Sequence, residues 1–229
     1  MSNTVKFLFN KLAMSVIIIG LCFTTAVLHN TLVKNYETST LSKYNIFTNT
    51  IYMSQRVDES SMKDVEHKIR IKVETQKTVI NILKKIPIIK DTLLVKQARP
   101  VIELRMYSGG GSVFAGFGVM NLMKEYQDRD NVFFFTVADK FCYSMCFAIL
   151  QQGNYRMATE YTVIGTHRAS GGDQRALRLI ERMTSENVLK KSTKFRSFKE
   201  WETFYWNDFF HKPSESLYYE LIDEVYKGE

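Results

Sequence analysis

The chain has three cysteines, three prolines and two tryptophans among 229 residues. Three cysteines are too few for a disulfide scaffold, and Cys22, Cys142 and Cys146 show no Cys-x-x-Cys or Cys/His spacing that would hold zinc. With so little proline and only 11 glycines, collagen-like and linker-dominated chains are excluded. Charged residues make up 24% and hydrophobic ones 45%, which fits a folded chain with a real core better than a disordered one. A mean hydropathy of -0.19 excludes a polytopic membrane protein. The length has room for one domain of ordinary size plus an appendage.

Charge is absent from one stretch altogether. Leu12 to Val33 is 22 residues without a formal charge, and about 20 mostly apolar residues suffice to cross the hydrocarbon core as a helix. Lys6 and Lys11 precede it and no acid occurs before Glu37, so the N-terminus is expected in the cytoplasm and the remainder outside it. Two readings stay open: an uncleaved anchor, and a signal peptide cut near Thr24-Thr25-Ala26. Leu21, before Cys22, does not suit a lipoprotein. The chain thus divides into residues 1–33, anchor or signal, and 34–229, one domain. That domain is expected to be held at the outer face of the cytoplasmic membrane through residues 12–33, or periplasmic or secreted if the segment is cleaved.

The net charge of +7 raises the question of a nucleic-acid partner. Residues 1–36 carry three lysines and no acid, residues 37–100 twelve basic against seven acidic groups, and residues 101–229 are almost neutral. Positive charge beside a membrane segment sets orientation and meets anionic headgroups, so no nucleic-acid partner is implied. Further on, residues 168–199 hold nine basic and three acidic groups, and residues 200–229 two basic and eight acidic. These suit pairing within or between subunits, or are two solvated helix faces.

Strands and helices alternate along the body, which implies an α/β domain. Strands are predicted at Ile46–Ser54, Val101–Tyr107, Val132–Val137 and Tyr161–Gly165. Helices are predicted at Glu59–Ile86, Val113–Tyr126, Ser144–Gln152, Gln174 to about Phe195, and Ser214 to about Val225. Val132–Val137 reads Val-Phe-Phe-Phe-Thr-Val, a run suited to burial on both faces of a parallel sheet.

Four local features could carry chemistry. Ser108-Gly109-Gly110-Gly111-Ser112 joins a strand to a helix, where glycine lets backbone N–H groups face a cavity; the same residues also suit a plain tight turn, and a P-loop's Lys and Ser/Thr are missing. Ser144 stands where a helix begins, near the positive end of its dipole, with the Met145 N–H free, although an ordinary N-cap explains an isolated serine equally well. His167 ends a β-rich segment, and Asp208 lies among aromatics in Trp206-Asn207-Asp208-Phe209-Phe210; alone, each reads as a structural residue.

In this order the features resemble the Clp peptidase family of the ClpP/crotonase superfamily. Tyr107-Ser108-Gly109-Gly110-Gly111-Ser112-Val113 resembles the family's Ser-Pro-Gly-Gly-Ser-Val loop, with Gly109 in place of the proline. Phe141-Cys142-Tyr143-Ser144-Met145 resembles its Ala-Ala-Ser-Met nucleophile segment, and Ile164-Gly165-Thr166-His167 with Gly171-Gly172 its Met-Ile-His segment. Asp208-Phe209-Phe210, Glu215 and Leu221-Ile222-Asp223 are similar to its Asp-Arg-Phe, Glu and Leu-Val-Asp run, and Tyr52 to Val57 to its first strand and turn. The likeness spans about Ile46 to Val225. The region from Val65 to Arg99 is longer than in the family, and the helix after His167, which forms the family's ring-joining handle, is shorter.

The resemblance implies a spiral of β-β-α units with a helical handle, here preceded by one N-terminal hydrophobic helix. It implies a serine endopeptidase acting on peptides or unfolded polypeptides, with Ser144 as nucleophile, His167 as base and Asp208 as the group orienting the imidazole. Gly110, Gly111 and Met145 would supply the oxyanion hole. Neither metal nor organic cofactor is needed, and a ring-shaped homo-oligomer is expected. The family is cytoplasmic and fed by an ATPase, whereas an exported chain has no ATPase partner to expect. Cys142 and Cys146 read as packing residues, and a Ser144/Lys140 dyad as a minor scheme. Two rivals remain: a catalytically silent, membrane-tethered assembly module of the same fold, and a crotonase-type acyl-CoA enzyme, whose chemistry does not call for a serine, histidine and aspartate at these spacings.

Overall fold

The computed structural model describes residues 49–54, 56–88, 90–167, 173–205 and 209–226. The hydrophobic segment Leu12–Val33, Gly171, Gly172 and Asp208 lie outside the described residues. Among the described residues, no helix is long and apolar enough to cross a membrane.

The domain is built on one parallel sheet. Strand β1 (Thr50–Met53) leads into helix α1 (Glu59–Lys85). A short α2 (Leu93–Lys96) precedes β2 (Val101–Ser108), α3 (Val113–Asp130), β3 (Phe133–Tyr143) and α4 (Met145–Gln152). Then come β4 (Tyr155–Thr159), β5 (Val163–Thr166), α5 (Gln174–Leu189), α6 (Phe198–Tyr205), β6 (Phe209–His211), α7 (Pro213–Tyr218) and β7 (Glu224–Tyr226). The sheet runs β1-β2-β3-β4-β7, with β5 also parallel to β3 and β6 antiparallel to β5.

Local chemistry accounts for the main elements. At the start of α1 the Asp58 carboxylate accepts the Ser61 N–H at 2.8 Å while the Ser61 hydroxyl accepts the Asp58 N–H at 3.1 Å, a capping box. Met62, Val65, Ile69 and Val73 form the buried stripe of α1, and Gln76 then binds the backbone N–H and C=O of Val101 at 2.8 and 2.9 Å, fixing the helix against the start of β2. In β2 the alternation puts Ile102, Leu104 and Met106 in the core, fully excluded from solvent.

Strand β3 differs most from expectation. It extends six residues beyond Val137 and changes neighbour on the way: Phe135–Ala138 pair with β4, and Phe141–Tyr143 pair with β5. Between the two halves Lys140 takes φ 63°, a left-handed conformation that turns the strand. The predicted helix from Gln174 ends at Leu189, not near Phe195, and the helix predicted from Ser214 to about Val225 is six residues long and gives way to β7.

One buried polar cluster joins the C-terminal segment to the sheet. Arg156 on β4 is fully buried; its guanidinium donates to both Asp223 oxygens, at 3.0 and 2.7 Å, and to Gln151 Oε1 at 2.7 Å. Burial works to raise the Asp223 pKa, but the hydrogen bonds and charge of Arg156 hold it below the ordinary carboxylate value. Lys191 donates to the carbonyls of Gln151 and Gly153 at the end of α4, and desolvation pushes its pKa down to about 8. On the other side of the core, Trp201 is fully buried and donates its indole N–H to Ser185 Oγ at 2.9 Å.

Candidate active site

The parallel strands β2, β3 and β5 deliver their C-terminal ends to one edge of the sheet, the usual place for a site in an α/β domain. The glycine loop leaves β2, Ser144 leaves β3, and the half-buried His167 leaves β5.

Ser144 is the N-terminal flank of α4 but does not behave as an ordinary cap: its side chain makes no cap hydrogen bond. Its backbone sits at φ 56°, ψ -122°, a conformation that costs an L-residue on the order of 1–3 kcal/mol. Such strain, with the hydroxyl left unspent on the helix, marks a sharp strand-to-helix elbow that presents the Ser144 side chain at the end of the sheet. Backbone contacts tie the elbow to the next strand: β3 and β5 are registered Tyr143↔Gly165, and the Ser144 N–H donates to Gly165 O at 3.2 Å. Ser144 and His167 therefore emerge from adjacent strands, one and two residues past the paired Tyr143 and Gly165.

Gly110 and Gly111 have φ 88° and 147°. A Cβ on Gly110 would lie 2.6 Å from Ser144 Cβ, 2.7 Å from Tyr143 O and 2.9 Å from Met145 N, so the loop touches the elbow through bare backbone. A Cβ on Gly111 would strike the Val57 carbonyl. The Val57 N–H donates to Gly110 O at 2.9 Å and the Ser112 N–H donates to Val57 O at 2.6 Å, a parallel bridge that leaves the Gly111 N–H on the opposite side of the chain. The Gly110 N–H, in contrast, donates to Ser108 Oγ at 3.1 Å. Among the described residues, the N–H groups of Gly111 and of Met145, the first helical residue of α4, have no partner within the fold.

Beside the loop lies a cavity of about 500 Å³ lined by Ser54, Arg56, Tyr107, Phe141 and the three glycines. An aromatic row borders it: Tyr107 meets Phe141 at 4.4 Å between ring centroids, Phe141 meets Tyr143 at 5.1 Å, and Tyr143 meets the exposed Phe210 at 5.2 Å. The Lys140 ammonium lies over the Tyr107 ring, 5.0 Å from its centroid.

Sequence reasoning missed several parts of this site. Ser108 and Val57 hold the glycine loop, and neither type is chemically distinctive. Cys142 and Cys146, read as packing residues, are fully buried as that reading requires, but they are joined to each other by a disulfide across the elbow, with Cα atoms 5.2 Å apart. An i, i+4 spacing reads as one helical face; the change from strand to helix at Ser144 is what turns it into a bridge. Asp208 lies outside the described residues; the following residue, Phe209, opens β6 and is registered with Thr166, the neighbour of His167. Among the described residues, no cluster of acidic, histidine or cysteine side chains could hold a metal.

The parallel α/β sheet, with a glycine loop and a strained serine elbow at its C-terminal edge, has the fold of solved ClpP structures. Solved structures agree: a ClpP1 point mutant from Listeria monocytogenes superposes with a TM-score of 0.61 at 15% identity, covering 82% of this chain and 97% of that one. The ClpP protease catalytic domain from Plasmodium falciparum superposes with a TM-score of 0.60 at 15% identity, covering 84% and 93%. The Clp protease family profile matches residues 60–229, and the chain belongs to that family. No curated protein sequence matches it.

Proposed function

We propose that the chain is a serine peptidase that cleaves peptides or unfolded polypeptides with Ser144 as nucleophile, His167 as general base and Asp208 as the orienting acid. Ser144 Oγ attacks the scissile carbonyl as His167 takes its proton, and His167 returns that proton to the leaving amine; Asp208 holds the imidazole in the working tautomer. The oxyanion is received by the N–H groups of Gly111 and Met145, while Gly110, whose own N–H is held by Ser108, supplies the close approach. The single observation that carries this reading is the Ser144 elbow, strained and uncapped, with the glycine loop pressed against it.

The proposal extends to place and assembly. The domain works on the outer side of the cytoplasmic membrane, anchored through residues 12–33 or released by cleavage, as a homo-oligomeric ring and without an ATPase. The buried disulfide supports an oxidising compartment, where such bonds persist.

The test is a fluorophosphonate probe applied to the purified full chain. Labelling at Ser144 that disappears in Ser144→Ala is the expected result. No labelling of wild type, or unchanged labelling of the variant, overturns the peptidase reading; an oligomer that stays intact without labelling points to the silent assembly module. Folded reporter fusions placed after residue 40 test location, and a cytoplasmic reporter signal would contradict the export proposal.

A further inference from the structure

The Cys142–Cys146 disulfide encloses the proposed nucleophile: the two half-cystines are four residues apart, and Ser144 is the middle residue of the ring they close. Its two ends belong to different elements. Cys142 is fixed in the sheet, registered with Ser108 on one side and Ile164 on the other, between the strand that feeds the glycine loop and the strand that ends at His167. Cys146 is in the first turn of α4. The bond therefore clamps the first turn of α4 to the sheet, and the residues inside the clamp are Tyr143, Ser144 and Met145.

Those three residues carry the unfavourable part of the site. Ser144 is at positive φ without a side-chain cap hydrogen bond to compensate, and Met145 is the first helical residue, whose N–H the helix does not use. A disfavoured backbone conformation persists only where the surroundings over-determine it. The Gly110 contact restrains the elbow from the loop side, and the disulfide restrains it from the core side. Other features of the domain have no need of the bond: the β3 register with β2 and β5, the α4 packing and the Arg156–Asp223 cluster are all held by separate contacts.

We propose that the Cys142–Cys146 bond is a positioning device for the nucleophile, so that the peptidase becomes competent only after this pair has been oxidised. The inference rests on the peptidase reading above. The oxidant belongs to the class of exchangeable disulfides, small-molecule or protein. The Cys142 thiolate attacks the oxidant's S–S bond, forming a mixed disulfide and releasing one oxidant thiol. The Cys146 thiolate then attacks the Cys142 sulfur, forming the intramolecular bond and releasing the second. Two electrons pass to the oxidant, whose two sulfurs leave as thiols, and the protons of Cys142 and Cys146 go with them. Because both sulfurs are buried in the folded domain, the exchange precedes final packing of the elbow, and the finished bond is shielded from reductants. A chain still in a reducing compartment is then an incompetent precursor whose elbow has not reached its final packing.

The experiment compares the oxidised full chain with Cys142→Ala/Cys146→Ala, using a quenched-fluorescence peptide as substrate and fluorophosphonate titration to count competent sites. The double variant is expected to keep its secondary structure and oligomeric state, to keep KM within about threefold, and to lose roughly 10- to 100-fold in kcat and labelling rate, the scale of a misplaced reacting group. A purely structural bond would lower the denaturation midpoint and leave kcat per titrated site unchanged, which overturns the proposal. Where the variant fails to fold, wild type is unfolded with a dithiol and refolded either reduced or with glutathione disulfide. Activity that returns only with the oxidant supports the proposal, and equal activity in both overturns it. Intact mass, lower by two hydrogens in the bonded form, reports the bond without reference to activity. Unlabelled wild type with the bond present is therefore failure of the peptidase reading, and labelling indifferent to the bond is failure of this one.

Discussion

Replacing Gly110 with alanine tests the contact on which the site geometry depends. At φ 88° an L-residue is disfavoured by roughly 1–2 kcal/mol before any contact is considered. The added methyl would also lie 2.6 to 2.9 Å from Ser144 Cβ, Tyr143 O and Met145 N. Two of these are backbone atoms that cannot rotate away, so the loop and the elbow must separate. Separation moves the Gly111 and Met145 donors apart, and losing one such donor is worth about 2.7–4 kcal/mol of transition-state stabilisation. The expected result is a fall of about 10² to 10³ in fluorophosphonate labelling rate and in peptide hydrolysis, with a folded protein by circular dichroism. The control lies next door. Gly109 has no positive φ and its Cβ would meet only a Phe141 ring carbon at 3.9 Å, so Gly109→Ala should label within about threefold of wild type. Wild-type labelling in Gly110→Ala, or equal losses in both variants, would refute the reasoning.

Three further outcomes are expected. Lys140→Gly removes the amine while suiting the positive φ, and should leave labelling unchanged; abolished labelling would revive a Ser144/Lys140 dyad. Asp223→Asn strands the buried Arg156 charge and should cost about 3–5 kcal/mol in denaturant titrations at pH 7. Since Asp223 has a folded pKa below its unfolded value near 3.8, that stability is fully present above pH 3.8 and is lost as pH falls through the folded pKa; a wild-type advantage that grows in acid would contradict the assignment. Trp201→Ala should cost about 3–5 kcal/mol by cavity formation and the lost bond to Ser185, and a denaturation midpoint within error of wild type would show that the aromatic core is not cooperative with the sheet.

The legible parts of this protein are local. Helix α1, expected at Glu59–Ile86, spans Glu59–Lys85, and the glycine loop and Ser144 are recognisable because strand, turn and helix succeed one another within a few residues. Strand β4 is not legible: its second residue, Arg156, looks like a surface residue until Asp223, 67 positions later, is brought against it. Helix α5 stops at Leu189, before the polar run Lys190 to Lys194, and α7 stops at Tyr218 although Tyr219, Leu221 and Ile222 follow; the chain leaves both helices to pack Phe195 against Trp201 and Tyr219 against Phe204. Two acids of residues 200–229 bond to residues 168–199 through uncharged donors: Glu220 accepts from the Thr193 hydroxyl at 3.0 Å and Glu200 from the Arg196 backbone N–H at 2.7 Å.

The change of partner along β3 separates two tasks that a single strand normally performs together. Phe135 to Ala138 determine where the strand lies, because they are locked between β2 and β4; Phe141 to Tyr143 determine where it points, because they answer only to β5 and to the end of β2. Lys140, in its left-handed turn, is the joint between them. The direction in which Ser144 leaves the sheet is therefore set by β5 and the end of β2, and a change in the middle of β3 would move the strand without re-aiming its end.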